Sequence, residues 1–108
     1  MRKASSAMLN SLGNLIGYKV ISSGGSNSMV LDYKVIFRHA LFLGADSIIM
    51  THNHPPGDPQ PTINDVRATQ KLAEAGRVVD ISLLDHVIYT PYQSVSMRRM
   101  MAHLFEGD

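Results

Sequence analysis

Residues 50–65, "MTHNHPPGDPQPTIND", hold two histidines, four prolines and two aspartates in sixteen positions. Few local structures accommodate that stretch. The preceding "DSIIM" is apolar and β-branched, and predicts a short buried strand running straight into the histidines. Pro55 and Pro56 turn His54 and Pro55 itself away from helical geometry and prolong the extended backbone, and Gly57 permits a sharp turn after them. Thr62, followed three residues later by Asp65, has the form of a capping box with Asp in place of Glu or Gln. It opens a helix, "INDVRATQKLAEA", expected to stop at Gly76. Strand, tight loop and helix must therefore follow one another here.

The rest of the chain supplies partners for that unit. Ser11, Gly13 and Asn14 are turn formers, so Met8–Asn10 and Leu15–Ser22 are expected to pair as a hairpin. Residues 23–28, "SGGSNS", are a flexible loop by composition. Asp32 offers an N-cap to a helix carrying Val35, Ile36, Ala40 and Leu43 at helical spacing, with Gly44 as its stop. "VVDISLLDHVIYT", residues 78–90, predicts one or two central strands. Met97, Met100, Met101 and Leu104 follow i, i+3, i+4, i+7 and predict an amphipathic C-terminal helix. The order strand, strand, helix, strand, helix, strand, strand, helix describes one mixed α/β domain, with about three helices on one small sheet. Its antiparallel hairpin argues against a doubly wound nucleotide fold, and "SSGGS" lacks the lysine and spacing of a phosphate loop.

Composition narrows the chemistry. A chain of 108 residues suits a single core. With no cysteine there is neither a disulfide framework nor a thiolate zinc site, so any metal must take His and carboxylate ligands. A formal charge of +1 predicts no strong attraction to nucleic acid or to acidic membranes. No apolar run is long enough to span a bilayer, and "MRKASSAMLN" lacks the continuous apolar segment of a secretory signal. The cytoplasm is the expected location.

His52 and His54, two residues apart on an extended segment, leave the same face of the backbone and can converge on one ion. Asp65 lies eleven residues beyond His54, in the first turn of the next helix, where a tight loop can fold its carboxylate back. Two imidazoles and one carboxylate leave a fourth position open on tetrahedral zinc, the arrangement of catalytic rather than purely structural sites. Plainer readings stand beside this one. A histidine in a turn is often a polar surface residue, and Asp65 could serve only the dipole of its own helix.

The spacing His52, His54, Thr62, Asp65 is H-x-H, seven residues, Ser or Thr, two residues, Asp. It resembles the JAMM (MPN-plus) motif of zinc metallopeptidases and deubiquitinases. The longer stretch "HNHPPGDPQPTINDVRATQKLAEAGRVVDISLLDHVI", with "VIFRHALFLGADSIIM" before it, is similar to the RadC family over about residues 8–90. That resemblance implies an MPN-type, cytidine deaminase-like α/β domain around a curved mixed sheet, with zinc at one edge held by His52, His54 and Asp65. It places Thr62 where the family has a serine that assists the oxyanion, and implies a peptide or isopeptide bond as substrate. DNA repair attaches to the family by name. The family's helix-hairpin-helix region is absent from this chain, and no DNA-reading element is evident.

One departure matters for activity. The family's proton-accepting glutamate has two usual positions, and these fall on Lys19 and Lys34. Glu74 and Glu106 are the chain's two glutamates; both lie downstream of the motif, Glu74 near the far end of the helix opened at Thr62. Upstream carboxylates are Asp32 and Asp46. Asp32 is the better substitute base, although it reads more simply as an N-cap. Losing the base costs on the order of 10²–10⁴-fold in rate, so metal binding is expected to outlast efficient peptidase activity. The alternative is a non-catalytic metal-binding or interaction domain associated with DNA-processing proteins. Among the remaining residues, His86 either lines the cleft or supports it from behind, or forms a hydrogen-bonded structural pair with Asp85 at a strand bulge, the reading preferred here. His39 and His103 read as solvated helix faces. The methionine stripe reads as core, with docking to a partner or to a second copy left open.

Overall fold

The computed structural model describes residues 2–24, 31–54 and 57–106. Its strands are β1 (Arg2–Leu9), β2 (Leu15–Gly24), β3 (Ser47–Asn53), β4 (Ser82–Tyr89) and β5 (Ser94–Ser96). Its helices are α1 (Tyr33–Leu43), α2 (Ile63–Val78) and the single turn α3 (Met97–Met100), followed by a 3-10 turn at Ala102–Leu104. The five strands form one open mixed sheet in the order β2-β1-β3-β4-β5. Only β3 and β4 run parallel, joined by α2 as the crossover that a parallel pair requires. The mixed α/β class is the one expected, and the order of elements matches, although the last strand, β5, lies beyond the residues 78–90 where a second strand was expected.

The hairpin turn is built as its residues dictate: Asn10 Oδ1 accepts the N–H groups of Leu12 and Asn14, and Gly13 takes φ +82°. β1 starts at Arg2 rather than at Met8. Its serines mask the strand in the sequence, yet lying between β2 and β3 satisfies its backbone on both sides, and the small Ser5 and Ser6 are buried there. Residues 25–28 of the glycine-serine loop, Pro55 and Pro56 lie outside the described residues.

Register puts Ala4, Met8, Ile48, Met50 and Leu83 on one sheet face, where they form a single core with Ile36 and Ala40 of α1 and Leu72 and Ala73 of α2. A smaller cluster of Ile88, Met97 and Leu104 continues it beneath α3. α1 begins where Asp32 accepts the Val35 N–H at 3.2 Å and ends at Gly44, φ +69°.

Four expectations are corrected. α2 does not stop at Gly76 but runs to Val78; the glycine is needed because a Cβ there would sit 2.2 Å from the carbonyl oxygen of Ile81. Consequently the strand expected from residue 78 begins at Ser82 and is a single strand. The C-terminal amphipathic helix is one turn followed by a 3-10 turn, since Met101 leaves helical geometry at φ −139°, ψ 59°. Met97 and Leu104 are buried all the same: the burial spacing of one long helix is met by two short turns. His39 is half-buried rather than solvated, because Gly17 lets α1 approach β2 closely, and its Nδ1 is buried. His103 is exposed, as expected.

The β3–β4 ladder holds a bulge. Ile48 pairs with Leu83 but Ile49 pairs with Asp85, so Leu84 is supernumerary. Leu83, His86 and Ile88 therefore all face inward. Among the described residues no helix is long and apolar enough to cross a membrane.

Candidate metal centre

β3 carries His52 to the C-terminal end of the sheet, where it sits in register between Ala4 of β1 and Ile88 of β4. His54 lies just past the strand and is held by its backbone N–H donating to the Tyr89 carbonyl at 2.9 Å. The two rings converge, with centroids 4.9 Å apart. The first turn of α2 brings Asp65 against them. Thr62 Oγ1 accepts the Asp65 N–H at 3.2 Å, and Asp65 Oδ2 accepts the Thr62 N–H at 2.8 Å, which completes the capping box. Asp65 Oδ1 then lies 3.2 Å from His52 Nε2, and Oδ2 lies 3.0 Å from His54 Nε2. His52, His54 and Asp65 are 2%, 5% and 4% exposed. Their ligand atoms fall within 4.8 Å of one another and could hold one metal ion.

The donor set fits a cation. His52 Nε2 is buried with no hydrogen-bond partner among the described residues, although Asp65 Oδ1 is nearby; the two atoms are close but not aligned for a hydrogen bond. Buried polar atoms are rarely left in this state. Burial opposes ionisation of Asp65, but the adjacent His52, the Thr62 N–H and His54 outweigh it and hold the carboxyl well below the usual carboxylate range. An ionised, buried carboxylate facing imidazole nitrogens is the charge arrangement that a divalent cation neutralises. His54 Nδ1 has the Asp58 carbonyl 3.4 Å away, a weak partner that leaves Nε2 turned toward Asp65.

A second layer lies behind His52. His86 Nε2 is 2.7 Å from His52 Nδ1, and His86 Nδ1 is 2.6 Å from Thr69 Oγ1. Thr69 in turn donates to the Asp65 backbone carbonyl at 2.8 Å. Burial, reinforced by the neighbouring His52, pushes the His86 pKa down to about 3. The expected hydrogen-bonded pair of His86 and Asp85 at a strand bulge is present, with the His86 backbone N–H donating to Asp85 Oδ1 at 2.7 Å, but it does not hold the ring. Asp85 accepts the His86 and Arg98 N–H groups and the Ser96 hydroxyl, while the His86 ring turns to His52. Thr69 escaped sequence reasoning, although its position four residues after Asp65 puts it on the same face of α2.

The other candidates lie apart from this group. Asp32 caps α1 and is not a member of the cluster. Lys19 is exposed on β2, opposite Ser6, and Lys34 is exposed in the first turn of α1. Glu74 and Glu106 are exposed and outside the cluster.

Residues 3–102 match the family model described as a RadC-like JAB domain. A UPF0758 protein of Methanococcoides burtonii is 41% identical over 90 residues, covering 83% of this chain and 39% of the relative. One from Caldanaerobacter subterraneus is 38% identical over 99 residues, covering 92% of this chain and 42% of the relative. One from Listeria monocytogenes is 41% identical over 90 residues, covering 83% and 40%. The chain spans about two fifths of the length of these relatives.

Proposed function

Because this chain belongs to the RadC-like JAB family, we propose that it is a JAMM-type zinc-binding hydrolase domain, acting on peptide or isopeptide bonds, whose hydrolytic step is impaired. The observation that carries this reading is the buried His52 Nε2, which has no aligned hydrogen-bond partner among the described residues and lies 3.2 Å from Asp65 Oδ1, with His54 beside it. His52, His54 and Asp65 would hold the ion. Zinc, when bound, would act as a Lewis acid and lower the pKa of a water molecule.

The chain's own residues supply only part of the remaining chemistry. Thr62 Oγ1 accepts the Asp65 N–H, which leaves its hydroxyl proton free to stabilise a developing oxyanion. No glutamate joins the cluster to take up a proton, and the candidate base Asp32 is engaged at the cap of α1. The corresponding rate loss is on the order of 10²–10⁴-fold. In this reading the domain works in the cytoplasm on a peptide or protein, without strong nucleic-acid binding of its own.

A second reading, a non-catalytic metal-binding or interaction domain, is favoured by the exposed Lys19 and Lys34 at the usual acid positions. Two measurements separate them. Metal analysis of protein purified with zinc supplied is expected to find about one ion per chain; none above background would sink the ligand set. Peptidase activity on unfolded peptides is then compared between the unmutated chain and Lys19→Glu. Higher activity in the variant supports the impaired hydrolase, and absence of turnover in both supports the non-catalytic domain.

A further inference from the structure

Metal ligation by histidine requires a lone pair on the nitrogen that faces the ion, and in a neutral imidazole the other nitrogen must then carry the proton. Which nitrogen that is depends on what the ring touches. Here the contacts run in one direction from a group whose role is not in doubt. The Asp65 backbone carbonyl can only accept, and Thr69 Oγ1 lies 2.8 Å from it; the Met97 sulfur, also only an acceptor, lies 3.3 Å from the same hydroxyl. The single hydroxyl proton is directed there. The third neighbour of that oxygen, His86 Nδ1 at 2.6 Å, must therefore donate. A neutral His86 with its proton on Nδ1 has a lone pair on Nε2, so His52 Nδ1, 2.7 Å away, donates to it. His52 Nε2 is left with its lone pair directed at the candidate metal position.

We propose that Thr69 and His86 are positioning residues that lock His52 in the Nδ1–H tautomer, so that Nε2 is ready to ligate before any metal arrives. The reverse proton order would place a proton on His52 Nε2, where no acceptor is aligned to receive it. The chain begins and ends on the same residue: Asp65 supplies the carbonyl that sets the proton order and the carboxylate that shares the site. This assignment rests on the metal-site reading above, but the proton order itself belongs to the metal-free protein and can be read without metal.

Long-range ¹H–¹⁵N correlation spectra of the metal-free, ¹⁵N-histidine-labelled chain at about pH 8, above the ordinary imidazole pKa, test the proposal directly. The expected result is Nδ1–H for both His52 and His86. A proton on His52 Nε2 overturns it, whatever the protein does with zinc. Zinc titration against a competing chelator gives the second readout. Thr69→Val, which removes the hydroxyl at nearly constant shape, is expected to mix the His52 tautomers and weaken zinc binding about tenfold, within the range seen when a ligand's outer partner is lost. His86→Leu is expected to cost more, toward about 100-fold. His86→Gln, whose carbonyl oxygen can replace Nε2 as acceptor, is expected to restore most of that loss. Equal affinity in all three variants and the unmutated chain overturns the positioning role. The Nδ1–H tautomer in a chain that takes up no zinc supports the proton order and overturns the metal-site reading instead.

Discussion

Asp65 and Thr62 exchange two hydrogen bonds at the start of α2, while the same Asp65 carboxylate faces His52 and His54. A helix cap and a candidate metal ligand are thus one side chain, and substitutions there separate the two roles. Asp65→Asn keeps an oxygen for the Thr62 N–H, whereas Asp65→Ala removes it. In metal-free protein the alanine variant is expected to be less stable than the asparagine variant by about 1 kcal/mol, measured by urea unfolding. Both are expected to lose zinc uptake. Undiminished zinc binding by Asp65→Asn would remove Asp65 from the ligand set.

Zinc itself is expected to stabilise the fold, because its ligands come from β3, the residue just after it and α2, and are not assembled in the unfolded chain. At a free concentration about a hundredfold above Kd, the gain is about 2.7 kcal/mol. For a domain of this size that raises Tm by on the order of 10–20 °C. Calorimetry with and without a chelator checks this, and a Tm insensitive to both would count against a preformed site.

Acid is expected to unfold the metal-free protein earlier than its carboxylates alone would dictate. His86 has its folded pKa depressed to about 3, whereas the unfolded side chain titrates near its ordinary value of about 6.5. Below that ordinary value the unfolded chain binds a proton that the folded chain refuses, so stability falls as pH drops from about 6.5 toward 3, by at most about 1.4 kcal/mol per unit. Asp65, also depressed, adds its own loss only below the ordinary carboxylate range. Urea midpoints between pH 7 and 4 are expected to decline in the unmutated chain and to flatten in His86→Gln. A flat profile in the unmutated chain would contradict the burial of a neutral His86.

Two glycine substitutions are expected to differ. A Cβ on Gly76 would meet the Ile81 backbone oxygen at 2.2 Å, and backbone cannot easily yield. Gly76→Ala should destabilise by about 1–3 kcal/mol despite the better helix propensity of alanine. A Cβ on Gly17 would meet Leu43 Cδ1 at the same 2.2 Å, but that is the end of a side chain that can rotate. Gly17→Ala is therefore expected to cost less, and thermal unfolding of the pair ranks them.

What could be read from the sequence was local. The Asp32 cap, the Gly44 stop and the Thr62–Asp65 box are each decided within four residues, and each formed as its side chains dictate. The convergence of His52 and His54 followed from the two-residue period of extended chain. What escaped depended on contacts distant in sequence. Gly76 looks like a terminator until Ile81 is seen against it, and His39 looks solvated until Gly17 admits its helix. His86 was visible as a residue, but its partner 34 positions away was not. Thr69 stands four residues after Asp65, but nothing local marks its buried contacts with His86 and Met97.

Leu84 is exposed and no member of the metal-ligand group, yet the phase of β4 depends on its being left unpaired. Side chains alternate across a strand, so a β4 that took Leu84 into the ladder, with no bulge, would turn over everything after it. If the pairing held from Ser82 to Leu83, Leu84 would then stand opposite Ile49, Asp85 would come beside Met50 and the imidazole of His86 would leave the interior. Composition, charge and the spacing of His52, His54 and Asp65 would all be intact. A match to the motif alone would then count the site as whole, whereas the register of β4 against β3 would reveal that it had lost its inner wall.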